Sequence, residues 1–251
     1  MRVTLITATY NSGASIKTCL DSVVSQDYDV FEYLIIDGKS SDETLSIVED
    51  FQQKYPFIKL ISEKDEGIYD ALNKGVLLAT GDVIGFVHSD DLLASKTVIS
   101  EIVATLKNEK LDGVYGDLEY VRKEDTSKVV RFWKSRSFNS KLLSMGWMPA
   151  HPTLFLKKEV YEKHGFFNLT YKISADYDFM LRIFNDDSLK FVYLPKVITK
   201  MRVGGASNGS INNIINKTKE DYRAIRSNQI GGWFSILIKN TSKIKQLFIR
   251  G

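Results

Sequence analysis

Two adjacent carboxylates, Asp90 and Asp91, follow the apolar run Val83-Ile84-Gly85-Phe86-Val87 after only His88 and Ser89. Neighbouring carboxylates repel each other unless a cation or hydrogen-bond donors compensate. A hard divalent ion is one such compensation, since Mg²⁺ or Mn²⁺ is held by one or two carboxylates plus substrate phosphate oxygens. Polar and acidic groups also end three other apolar runs: Thr9-Tyr10-Asn11, Asp37-Gly38 and Glu63-Lys64-Asp65. In open α/β sheets ligands bind beyond the carboxyl ends of the strands, so these ends are expected to converge on one crevice. Taken singly, each also reads as a strand terminator or helix cap.

The elements that must position these residues alternate over the first hundred or so positions, as βαβ units of a parallel sheet do. Strands are expected at Val3 to Ala8, Tyr33 to Ile36, Lys59 to Ile61 and Val83 to Val87, the last nearly all apolar as a central strand is. Between them fall a helix from Ala14 to Ser25, one opened by a capping box at Ser40 and Glu43, and one from Ile68 to Ala79. Beyond Lys107, Gly113 to Val121 and Lys128 to Trp133 alternate like an antiparallel pair, so the sheet is expected to be mixed. Thr153 to Leu156 and Lys190 to Val203 read as strands, Ala175 to Phe184 and Asn212 to Ser227 as helices.

Composition bounds the function. The 251 residues are 43% hydrophobic and 26% charged, as in an ordinary globular chain of one or two domains. Thirty-four Lys and Arg against 31 Asp and Glu leave a net charge of +3, too small an excess to indicate a nucleic-acid partner. A single cysteine, Cys19, excludes an internal disulfide and a multi-cysteine zinc site, and is read as a small core residue. The N-terminus lacks a signal-peptide pattern and no run reaches about 18 apolar residues, so export and membrane crossing are not expected. There is no G-x-x-x-x-G-K-[ST], no G-x-G-x-x-G after the first strand, no H-E-x-x-H and no G-x-S-x-G.

Four segments in order resemble the successive motifs of family 2 glycosyltransferases, inverting enzymes of the GT-A fold. They are Ile6 to Asn11, Ile35 to Asp42, Gly81 to Asp91 and Ser174 to Arg182. Lys64 to Gly75 is similar to the bacterial enzymes that build O-antigen, capsule or exopolysaccharide units. The resemblance spans residues 1–205 and implies an α/β GT-A domain there, with 206–251 as a helical segment ending in a basic amphipathic tail. It implies that Thr9, Tyr10, Asn11, Asp37, Asp65 and Asp90 bind the nucleotide sugar, that Asp91 holds Mn²⁺ or Mg²⁺ on the diphosphate, and that Asp176 is the general base. The chain departs from the family pattern at His88, where the first acid of the Asp-x-Asp-Asp run is expected, and at Ala175, where Glu is frequent.

Acceptor-side candidates are Trp147, whose ring face would suit a sugar, His151, and Asp178 as an understudy to Asp176. Gly204 to Ser207 would let backbone N–H groups approach a diphosphate. From Trp233 to Arg250 apolar and cationic residues mix as in an interfacial helix suited to an anionic membrane, the alternative being a helix packed on the domain or on a second copy. The expectation is therefore an inverting transferase moving sugar from a UDP-sugar to a glycan or lipid-linked oligosaccharide in surface polysaccharide synthesis, cytoplasmic and peripheral at the inner membrane face. An inactive nucleotide-sugar-binding assembly partner is the alternative that His88 and Ala175 suggest. A sugar nucleotidyltransferase would want a Gly-rich basic loop after the first strand, and Thr7 to Ser12 has none.

Overall fold

A computed structural model describes residues 1–29, 32–107, 110–204 and 211–246. Its first half runs β1 (Val3–Thr9), α1 (Ile16–Val24), β2 (Glu32–Asp37), α2 (Thr44–Lys54), β3 (Ile58–Ser62), α3 (Ile68–Leu78) and β4 (Val83–Phe86). The second half adds β5 (Leu92–Leu93), α4 (Val98–Leu106), β6 (Gly113–Val121), β7 (Val129–Trp133), α5 (Lys141–Ser144), β8 (Phe155–Lys157), α6 (Lys158–His164), α7 (Ala175–Phe184), β9 (Phe191–Arg202), α8 (Ile211–Ser227) and α9 (Trp233–Gln246).

The strands form one sheet in the order β3-β2-β1-β4-β8-β6-β9-β5, with β7 paired to β6. β1 runs parallel to β2 and β4, and β2 parallel to β3, so their carboxyl ends open on the same edge. β8 enters antiparallel between β4 and β6, which makes the sheet mixed. Every residue of β1 and β2 is buried, because helices cover both faces of this half. Side chains alternate accordingly. Leu5, Tyr33 and Ile35 face the cluster built with α1, α2 and α4, whereas Ile6, Leu34 and Ile36 face the one built with α3, α6 and α7. Ala224 and Ile225 of α8 and Ile236 of α9 belong to the second cluster. α3 lies so close to β1 that a Cβ on Gly75 would stand 2.5 Å from Ile6 Cγ2.

Two local expectations are corrected. Ser40 and Glu43 do not form a capping box: Glu43 is itself the residue before α2, with no side-chain cap, and the Ser40 hydroxyl donates instead to Asp37 Oδ1 at 2.5 Å. A carboxylate is the stronger acceptor and wins the hydroxyl. The expected strand from Thr153 starts late, because Pro152 sits in a 3₁₀ turn over His151–Thr153 and pairing begins at Phe155. The thiol of Cys19 is buried, as expected of a core residue, and burial pushes its pKa up to about 12.

Candidate active site

The carboxyl ends of β1 and β2 are tied together before any ligand is considered. Asn11 adopts a left-handed backbone, φ 48°, and its Oδ1 accepts the Ser41 N–H at 2.9 Å while its own N–H donates to Ser40 Oγ at 2.8 Å. Asp37 is buried and fully engaged, accepting from Ser40 N at 3.0 Å and from Ser62 Oγ at 2.7 Å in addition to the Ser40 hydroxyl. Asp65 is brought beside Gly38, where a Cβ would meet its Oδ2 at 2.6 Å and the Tyr10 ring at 3.5 Å. Tyr10 is exposed, and Thr9 is buried with its hydroxyl lacking a protein partner. Tyr10, Asp37 and Asp65 thus gather at one strand edge, with Asn11 shaping the loop between.

That edge continues into a cleft of about 1510 Å³ lined by Ala8, Tyr69, His88, Asp90, Asp91, Trp147, His151 and Asp176 among others. The hydroxyls of Ser12 and Ser89, 2.9 Å apart, join the β1 end to the β4 end and so locate Asp90. Asp91 has no exposed surface; its Oδ1 accepts the Arg202 N–H at 3.2 Å and its Oδ2 has no partner. Burial, with the charge of Asp90 beside it, pushes the Asp91 carboxyl well above the usual range. The Arg202 side chain clamps the turn from behind, donating to the Asp90 carbonyl, to the Lys123 carbonyl at 3.2 Å and to Thr18 Oγ1 at 2.7 Å.

A divalent cation fits this turn. Asp90 offers a partly exposed carboxylate, and the orphaned Oδ2 of Asp91 is a buried acceptor that nothing in the protein satisfies. Such an ion needs only one or two carboxylates when phosphate oxygens complete its shell. Among the described residues no cluster of three or more His, Cys, Asp or Glu could hold a metal without substrate.

On the same cleft, Asp176 stands in the first turn of α7. The Tyr69 hydroxyl reaches it from α3, 3.1 Å from Asp176 Oδ1 and 2.7 Å from the Ile173 carbonyl. The residues before α7 are held by Glu220 of α8, whose carboxylate accepts the N–H groups of Lys172, Ile173 and Ser174 at 3.0, 2.8 and 2.9 Å. His151 packs between Phe86 and Phe167, ring centroids 5.2 and 5.5 Å away, with Nε2 unpartnered, and burial pushes its pKa down to about 4. The His88 ring lies 5.8 Å from it, also pushed down by burial. Both rings are neutral at pH 7, so His88 offers a hydrogen-bonding nitrogen where an acid is expected. Trp147 lines the cleft with part of its surface and stacks on Phe138 with the rest.

Asp178 is not part of this cleft. Two residues along a helix put side chains on opposite sides, and Asp178 instead accepts from Arg182 Nε at 3.1 Å and Asn228 Nδ2 at 3.0 Å in a small pocket behind α7. The basic face expected on the last helix is also corrected at one position. Lys239 is buried, 2.8 Å from Asp221, while Trp233, Phe234 and Leu237 are exposed. Gly205 to Ser207 and Leu247 to Arg250 lie outside the described residues. Tyr69, Arg202 and Glu220 are not among the candidates; Arg202 and Glu220 lie outside the motifs, and Tyr69, although inside the Lys64 to Gly75 segment, reads there as one aromatic residue of a helix.

Comparison with known proteins agrees with this geometry. Residues 4–165 match the family model described as Glycosyl transferase family 2. The chain is 32% identical over 207 residues to the PGL/p-HBAD biosynthesis glycosyltransferase of Mycobacterium bovis (strain BCG / Pasteur 1173P2), across 81% of this chain and 78% of that protein. Its fold is that of GT-A glycosyltransferases: S. aureus TarS 1-349 in complex with UDP-GlcNAc superposes with TM-score 0.72 at 20% identity, over 91% of this chain and 65% of that one. The mannosyltransferase PcManGT from Pyrobaculum calidifontis, in complex with GDP-Man and Mn²⁺, gives 0.67 at 23%, over 90% and 63%. The chain thus spans just under two thirds of those solved chains. It belongs to glycosyl transferase family 2 and is a glycosyltransferase.

Proposed function

We propose that this chain transfers a sugar, with inversion, from a UDP-sugar to a hydroxyl of a glycan or lipid-linked oligosaccharide in surface polysaccharide or glycolipid synthesis. The observation that carries this reading is the placement of Asp90, beyond β4, and Asp176, in the first turn of α7, on one cleft. The uridine would lie along Thr9, Tyr10, Asp37 and Asp65, where the hydroxyl of Thr9 lacks a partner. A divalent cation, held by Asp90 and Oδ2 of Asp91 together with the diphosphate, would act as a Lewis acid on the leaving group. Asp176 takes the proton of the attacking hydroxyl, and the Tyr69 hydroxyl fixes the carboxylate for that transfer. With Asp90 and Asp91 assigned to the cation, Asp176 is the one carboxylate left among the described residues of the cleft, and a single base corresponds to displacement in one step.

The sugar nucleotides held by TarS and PcManGT, and the glycolipid pathway in the name of the mycobacterial relative, support the substrate classes. Residues 1–205 would form the catalytic domain, and 206–251 an appended segment whose α8 holds the loop before Asp176. Exposed Trp233, Phe234 and Leu237 on α9 support a peripheral position at the inner membrane face. Among the described residues no helix is long and apolar enough to cross a membrane.

A thermal-shift panel of UDP, GDP, CDP and dTDP, each with Mn²⁺, Mg²⁺ or EDTA, tests the donor reading. A UDP shift that needs metal is expected. A shift for another nucleotide alone, or indifference to EDTA, would overturn the uridine or the cation assignment respectively.

A further inference from the structure

The cleft carries more positive charge than its proposed chemistry uses. Seven Lys and Arg side chains line it, against three carboxylates. Four of the seven are already engaged: Lys217 and Lys239 pair with Asp221, Arg202 binds the Asp90 turn, and the Arg131 guanidinium lies 4.7 Å from the centroid of the Tyr120 ring. Lys134, Arg136 and Lys172 are exposed and form no salt bridge among the described residues. Lys134 acts only electrostatically on Asp117, whose carboxylate is taken by Ser135 N at 2.7 Å and Tyr193 Oη at 2.9 Å.

The backbones that carry these cations are pinned. Ser135 donates to Asp117, the Arg136 carbonyl accepts the Tyr115 hydroxyl at 2.8 Å, and Lys172 is held by Glu220. Like charges that line one opening repel one another, and an anion within the opening relieves that repulsion. The Arg136 carbonyl is bonded to Tyr115, whose ring lies 5.9 Å from that of Trp147, and Lys172 belongs to the loop that leads into α7 and Asp176, whereas the donor reading puts the diphosphate beside Asp90.

We infer that Lys134, Arg136 and Lys172 form an anion subsite for the acceptor, which carries a phosphate or diphosphate close to the hydroxyl that is glycosylated. This rests on the assignment of the cleft to sugar transfer onto an acceptor hydroxyl. A guanidinium with two ammonium groups suits a phosphoryl group through charge-assisted hydrogen bonds. Val130 and Met145, exposed residues that line the same cleft, suit an apolar chain attached to that phosphate.

The test titrates the full chain, saturated with UDP and Mn²⁺, with farnesyl phosphate, glucose 1-phosphate and their neutral counterparts farnesol and glucose. Calorimetry is expected to show each phosphate binding at least tenfold tighter than its neutral counterpart. Lys134→Ala/Arg136→Ala/Lys172→Ala should erase that advantage and leave UDP affinity within twofold. Farnesyl phosphate binding tenfold tighter than glucose 1-phosphate would identify a lipid-linked acceptor, and the reverse order a soluble phosphorylated glycan. Equal affinity for phosphates and neutral probes, an unaffected triple variant, or a loss of UDP affinity in that variant would overturn the subsite. Lys172→Glu, which puts a negative charge in the place of a positive one, should weaken phosphate binding at least tenfold and leave the neutral probes unchanged; unchanged phosphate affinity would overturn the subsite. The same titrations without UDP decide the subsite even for a chain that binds no UDP, an outcome that would overturn the donor reading alone.

Discussion

The hydroxyl of Tyr69 stands 3.1 Å from Oδ1 of Asp176, although the two residues are 107 positions apart. It ties the start of α7 to α3, which is itself packed on β1. Tyr69→Phe keeps the ring against Phe167, 5.6 Å between centroids, and removes only the hydroxyl. We expect kcat to fall about tenfold, the effect of one lost hydrogen bond of about 1.4 kcal/mol, with UDP affinity unchanged. Asp176→Asn should cost about 10²- to 10⁴-fold, the range of a general base, again without loss of UDP binding. Steady-state kinetics with parallel UDP calorimetry checks both, and a drop in UDP affinity in either variant would contradict the assignment.

Glu220 supports the site from a later helix, 46 to 48 positions beyond the groups it holds. One carboxylate accepts three successive N–H groups before α7, a task more often given to an N-cap side chain, and Ser174 makes no such cap. Glu220→Ala should destabilise the protein by about 2 kcal/mol, because three donors lose a charged acceptor. Glu220→Gln retains one acceptor oxygen and should cost about half as much. Urea denaturation measures both, and equal stability of Ala and Gln variants would show that the carboxylate does not hold the loop.

The parallel half of the fold was legible because its signals are local: β-branched runs, helical spacing, and polar residues at strand ends. The strands from Val3, Tyr33, Lys59 and Val83 are in place to within a residue or two. β5, α4, α5 and α6 were not foreseen; β5 spans only Leu92–Leu93 and exists through its pairing with β9. The motif singles out Asp176, and it lines the cleft. Tyr69 and Glu220 are not singled out, since their roles depend on α3 and α8 meeting one loop, which no spacing encodes. Asp178 misled for the complementary reason: acids two apart look equivalent in sequence, and the helix separates them.

The Asp90-Asp91 turn makes a separable prediction about metal. Asp90→Ala removes the accessible carboxylate, and Asp91→Asn keeps an oxygen for the Arg202 N–H while withdrawing the charge behind it. Each should lower UDP affinity in Mn²⁺ at least tenfold and leave the affinity in EDTA unchanged. Calorimetry with and without EDTA reads the difference. An unchanged Mn²⁺ effect in Asp91→Asn alone would assign the cation to Asp90 only.

His151 makes stability depend on pH. Its folded pKa of about 4 lies below the ordinary histidine value of about 6.5, so between those limits the unfolded chain binds the extra proton. Stability is full above about pH 6.5 and falls as pH drops towards 4, by on the order of 3 kcal/mol from this residue. His88, shifted the same way, adds to the fall. His151→Asn removes one titrating group and should flatten the curve by about that amount. Denaturation at pH 7 and pH 4.5 on both proteins checks it; parallel curves would show that the His151 ring does not resist protonation in the fold.

Lys239 and Asp221 form a buried pair that fastens α9 to α8 and, through the ring of Tyr177, to the residue next to Asp176. Both are under a tenth exposed, and the Lys239 ammonium lies 3.0 Å from the centroid of the Tyr177 ring. Burial pushes the Asp221 carboxyl up, but Lys239 and Lys217 outweigh it and hold the group below its ordinary range. Removing one partner strands the other charge in a site that water does not reach, so Lys239→Ala should cost about 3 kcal/mol. In a chain of this length that lowers Tm by roughly 8 °C. Lys217→Ala, at 3.5 Å from Asp221 and partly exposed, should cost under about 1 kcal/mol. The double variant Lys239→Met/Asp221→Leu leaves no stranded charge and should recover most of the loss. Thermal denaturation of these variants and of Lys239→Met decides between a latch of charges and simple packing, since packing alone predicts Lys239→Met to be as stable as the double variant, whereas a stranded Asp221 makes it less stable.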